Sequence, residues 1–118
     1  MLKTTLVILT LGYGGTTHLA VAEAETQEDC LAKAEVLDQI LTGAGAKITA
    51  LRCGQTDLRL TPYNHSYAEG ELRWHYHIKL HGTEREDGFT MAPTAAGRCS
   101  ADGADEFCTI SAQAPVEE

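Results

Sequence analysis

Four cysteines, Cys30, Cys53, Cys99 and Cys108, follow an N-terminus that reads as an export signal. An even cysteine count in an exported chain of this size implies two disulfides formed in an oxidising compartment. A chain of 118 residues is one domain. At that size a hydrophobic core alone is thin, and each crosslink adds roughly 2–4 kcal/mol by restricting the unfolded chain.

Element lengths favour one pairing. A helix running from Cys30 to Gly43 advances about 20 Å at 1.5 Å per residue. After a glycine turn, a strand from Lys47 to Cys53 returns by about the same length at roughly 3.3 Å per residue. Cys53 therefore comes back beside Cys30. Cys99 and Cys108 bracket the polar loop Ser100–Phe107, and a bond between them closes the mouth of a hairpin. A zinc site is disfavoured, because no close Cys-x2-Cys pair exists.

The expected address follows from the first residues. Met1-Leu2-Lys3 is a short positive start, Leu6-Val7-Ile8-Leu9 an apolar middle, and Ala20-Val21-Ala22 and Ala22-Glu23-Ala24 are small-residue cleavage patterns. This predicts a signal peptide over 1–22, cut after Ala22 or Ala24, and a secreted or periplasmic protein. The expected domain is then 23–112, with a loose tail over 113–118. The apolar stretch falls short of the roughly 20 residues a spanning helix needs, so no membrane is expected in the mature form. The formal net charge of −8 makes nucleic acid a poor partner.

Thr26 to Leu41 carries helical periodicity, with Cys30, Ala34, Leu37 and Leu41 on one stripe, joined by Leu31 and Ile40. Thr26 and Asp29 resemble a capping box, and Gly43 and Gly45 supply a stop. Strands are expected over Lys47–Cys53, Thr56–Thr61, Leu72–His81, Phe89–Met91 and Glu106–Ala112. In the third, Leu72, Trp74, Tyr76, Ile78 and Leu80 alternate with Arg73, His75, His77, Lys79 and His81. Such alternation describes an antiparallel strand with one face on the core and one in water. The expected fold is α+β: one N-terminal helix packed on a four- or five-stranded antiparallel sheet, stapled by two disulfides.

Chemistry-bearing motifs are sparse. No Gly-x-Ser-x-Gly elbow occurs, and oxidised cysteines leave no thiol nucleophile. Asp102, Asp105 and Glu106 lack the spacing of a calcium loop and read as a polar hairpin tip. His75 and His77 lie on one strand face about 6.6 Å apart. If strand 56–61 pairs with strand 72–81, Asp57 comes beside them, and His75, His77 and Asp57 make an alternative metal site. The favoured reading of this face is a solvated basic stripe. Tyr63, His65 and Tyr67 sit on the preceding loop, and tyrosines on loops suit protein contacts. The expected function is a non-enzymatic binding module without a cofactor, a class that includes protein-interaction and enzyme-inhibitor domains. It would meet an unknown protein or a small anionic ligand through Tyr63, His65, Tyr67, Arg73, His75, His77 and Lys79. A metal-binding protein is the second reading and a small hydrolase the third.

Overall fold

The structure is a computed structural model that describes residues 3–12, 16–61, 74–95, 98–101 and 103–115. Among the described residues, six strands and one α-helix follow in the order β1 (Lys3–Leu11), β2 (Thr17–Glu23), α1 (Gln27–Gly43), β3 (Ile48–Thr56), β4 (Trp74–Leu80), β5 (Phe89–Thr94) and β6 (Glu106–Ser111). A short 3-10 turn, Arg85–Asp87, precedes β5.

The strands form a single sheet in the order β3-β1-β2-β6-β4-β5. The α+β class and the disulfides stand as expected, but the sheet does not. It has six strands, and it is mixed, because β2 and β6 run parallel. That parallel junction spans just Thr17↔Thr109 and His18↔Ile110. The sheet is therefore two antiparallel halves, β3-β1-β2 and β6-β4-β5, joined at a corner and curled over a shared core.

The segment with the composition of an export signal forms β1 and β2. Five consecutive residues of β1, Thr5 to Leu9, are buried. Val7 and Leu9 point into the curl with Leu19, Val21, Tyr76, Ile78, Leu80, Phe89 and Met91. Leu6 and Ile8 point the other way, into a second cluster beneath α1 with Cys30, Ala34, Leu51 and Cys53. A strand buried on both faces shows an unbroken apolar run rather than alternation. Removal of residues 1–22 would take away β1 and all but the last residue of β2.

Helix α1 starts where expected. The Thr26 hydroxyl accepts from Asp29 N–H at 3.0 Å, and Asp29 accepts in turn from Glu25 N–H. This backbone bond, aided by Lys33, holds the Asp29 carboxyl below its ordinary pKa. The helix ends at Ala44, with Gly45 at φ 84. Cys30 and Ala34 are its buried residues, and Leu31, Leu37 and Leu41 pack at the margin. Ile40 does not join them and is 59% exposed, as α1 crosses the sheet with a narrower face than the periodicity suggests.

Cys30–Cys53 and Cys99–Cys108 are the two disulfides, the pairs that the element lengths favoured. Both cysteines of the first are fully buried between α1 and β3.

The expected strand over 56–61 is absent as a partner of β4. Thr56 ends β3, and Leu60 makes an isolated bridge with Pro115. Leu58 and Leu60 still pack against the main core. Gln113, placed in the expected tail, is 3% exposed. It lies where the parallel β2–β6 register would continue, opposite Val21, but uses its side chain. Its amide oxygen accepts from Val21 N–H at 2.7 Å, and its nitrogen donates to Val21 C=O and Thr61 C=O. One carboxamide thus closes the gap left where β6 departs from β2.

Far from that junction, the free edges of the two halves meet. A Cβ on Gly54 would come within 3.1 Å of Gly88 Cα and the Phe89 ring. Arg52, on the inner face opposite Val7, donates to Gly82 C=O beyond β4. Pro93 lies on β5, the last strand of that half. Proline is tolerated where its missing N–H faces the free edge, and there it discourages a further strand.

Candidate functional site

The sheet has an outer face on each half. Helix α1 packs on β3 and β1, and its cluster reaches Ala20 and Ala22 of β2. No described element covers the outer face of β6-β4-β5. That face is the strongest candidate site.

Strand parity builds it. Tyr76, Ile78 and Leu80 point inward and are buried. His75, His77 and Lys79 therefore point outward. Their register partners on β5 are Thr94, Ala92 and Thr90, and on β6 Ile110, Cys108 and Glu106. The inner residues are fixed by bonds as well as packing. The Tyr76 hydroxyl donates to Gln113 C=O at 2.8 Å, and Thr109 Oγ1 donates to Tyr76 C=O. Burial pushes the Tyr76 phenol up to about 12.

On the outer face, His77 Nε2 lies 3.1 Å from Glu106 Oε1. The other Glu106 oxygen accepts from Gly103 N–H at 3.0 Å, which ties this carboxylate to the loop before β6. His81 Nε2 lies 2.7 Å from Thr90 Oγ1. His18 sits on the same side of the sheet, one strand beyond Ile110 and over Gly12.

At the end of β4 and β5 lies a groove of about 490 Å³ lined by Trp74, His75, Tyr76, Pro93, Thr94, Ala95 and Pro115. Trp74 has inward parity, opposite Ser111. It stands past the end of the core, however, and is 37% exposed. Expected burial by alternation fails at this position because the core on this face of β4 begins at Tyr76, two residues further on.

The structure brings His75, His77 and Lys79 together as the alternation required. Tyr63, His65, Tyr67 and Arg73 lie outside the described residues. Asp57 follows β3, at the opposite end of the strand order from β4, so it does not neighbour His75 and His77. Among the described residues, no three His, Cys, Asp or Glu side chains converge to hold a metal. Glu106 is the member of the face that the sequence reading assigned elsewhere, to the hairpin tip. Phe107, Thr109 and Ser111 alternate inward, so parity turns Glu106 outward, and the β4–β6 register sets it beside Lys79.

Two disulfides are compatible with an oxidising, extracellular compartment. No helix among the described residues is long and apolar enough to cross a membrane. Comparison with family models, curated proteins and solved structures found no match.

Proposed function

We propose that this chain is an exported, non-enzymatic binding module that meets an acidic protein surface through the outer face of β6-β4-β5. The observation that carries the reading is the unequal covering of the sheet. The helix shields one half, while the other leaves His75, His77 and Lys79 facing water on a rigid, disulfide-tied strand set. The Trp74 groove borders this face, and a half-exposed tryptophan flanked by prolines suits an anchoring contact. The chain as a whole is acidic, so a face whose strand β4 carries lysine and histidines but no acid stands out from its surroundings.

The test compares two variants in capture from the native extracytoplasmic fraction. His77→Glu with Lys79→Glu reverses the face, whereas Val36→Glu with Ile40→Glu alters the exposed side of α1. The reading expects a partner retained by the wild type and the helix variant and lost by the face variant. Loss in the helix variant alone would refute it.

A further inference from the structure

We infer that the β6-β4-β5 face is acid-gated: it gains affinity for an acidic partner as His75 and His77 take up protons. The inference rests on the reading of that face as the binding surface and adds how its charge is regulated.

The charge inventory of the face is short. On β4 the outward residues are His75, His77 and Lys79. From β6, Glu106, Cys108 and Ile110 face them, and from β5, Thr90, Ala92 and Thr94. Among the described residues the carboxylates here are Glu106 and, just before β6, Asp105, whose Oδ1 crowds Gly103 together with Glu106 Oε2, and Cys108 is oxidised. With neutral imidazoles, Glu106 and Asp105 outweigh Lys79. Imidazoles change charge between about pH 5 and 8, so protonation of His75 and His77 reverses the sign of the face from negative to positive. His18 lies further along the same side. His81 is set apart, because it borders a depression shared with Glu86 and Asp87, whose carboxylates offset its charge.

Geometry keeps this charge on one surface. Both histidines are fixed on a strand whose inner residues are buried, and their spacing is about 6.6 Å. Glu106 can pair with His77 at 3.1 Å. His75 has Thr94 and Ile110 as register partners, neither of them an acid. A carboxylate on a partner therefore meets His75 without an internal competitor across the ladder. Repeated carboxylates in an extended acidic segment match a row of cations on one strand.

The experiment measures binding of an octa-aspartate peptide to the full chain at pH 5.5 and 7.5. Aspartate stays ionised at both. Affinity is expected to be about tenfold higher at pH 5.5, as a few exposed pairs would give. His75→Gln with His77→Gln should lose most of this gain. His75→Lys with His77→Lys should bind at pH 7.5 as tightly as the wild type does at pH 5.5. The glutamine and lysine variants are checked for an unchanged thermal transition, and the lysine pair carries the test if the glutamine pair is unstable. Persistence of the full gain in the glutamine pair would overturn the inference. Binding that is equal at both pH values but abolished by Lys79→Glu would overturn the gate and leave the face standing. Binding indifferent to every one of these changes would overturn both.

Discussion

A chain that begins at Glu23 should not form this fold. Leu6, Val7, Ile8, Leu9, Leu19 and Val21 are each at most 8% exposed, and they divide between both core clusters. Cutting a single buried leucine to alanine typically costs about 2–5 kcal/mol, against a total stability of about 5–15 kcal/mol for a domain. Losing the segment also spares the cost of ordering it. That saving does not help β3, however, which keeps no strand neighbour, or β6, which loses its junction with β2. The assay is circular dichroism and thermal melting of residues 1–118 beside 23–118, with the N-terminal mass of folded protein recovered from the extracytoplasmic fraction. Within the full chain, Leu9→Ala should lower Tm by about 8 °C or more, since 1 kcal/mol corresponds to roughly 4–8 °C at this size. A cooperative transition of 23–118 at the full-length Tm would refute the reasoning and support cleavage of the first 22 residues as an export signal.

The disulfides should differ in both accessibility and worth. Cys30–Cys53 is buried and Cys99–Cys108 lies at the surface, so graded reduction followed by alkylation and peptide mapping should label Cys99 and Cys108 first. From the separations of 23 and 9 residues, the unfolded-state entropy model gives losses of about 3.4 and 2.6 kcal/mol for Cys→Ser pairs, read from denaturant unfolding. Tyr76 has its pKa raised by burial, to about 12 from 10.0. The folded state therefore favours the protonated phenol. That stability is intact below pH 10 and is lost as pH rises from about 10 to 12, by at most a few kcal/mol. Alkaline melting should show the loss, and Tyr76→Phe should reduce it while giving up the bond to Gln113. Zinc titration by calorimetry should give no submicromolar, stoichiometric binding that depends on His75 and His77, because Asp57 is not their neighbour; such binding, absent in His75→Ala with His77→Ala, would restore the metal reading.

What the sequence disclosed depended on how each element is buried. Half-buried elements announced themselves. The alternation of Tyr76, Ile78 and Leu80 with His75, His77 and Lys79 assigned both faces of β4, and Cys30, Ala34 and Cys53 placed α1 on β3. Fully buried β1 did not, because Leu6-Val7-Ile8-Leu9 offers the same pattern to an export reading as to a strand with core on both sides. Its β-branched and threonine content, with Gly12, Gly14 and Gly15 before the alternation of Leu19 and Val21, was the available strand signal. Without β1 and β2, no count of strands could reach six, and strand 56–61 was left to pair with β4 as the nearest in sequence. The pairing instead joins β4 to β5 and to β6. Gln113 was not legible as a buried residue: one polar side chain near a terminus has no periodicity, and its burial depends on Val21 and Thr61, 92 and 52 residues away. The candidate face was readable because it needs only the parity of one strand. Its balancing acid, Glu106, required knowing that β6 lies beside β4, and that adjacency is a property of the whole sheet. The same adjacency sets the face's net charge, so the acid gate is a property of the strand order and not of β4 alone.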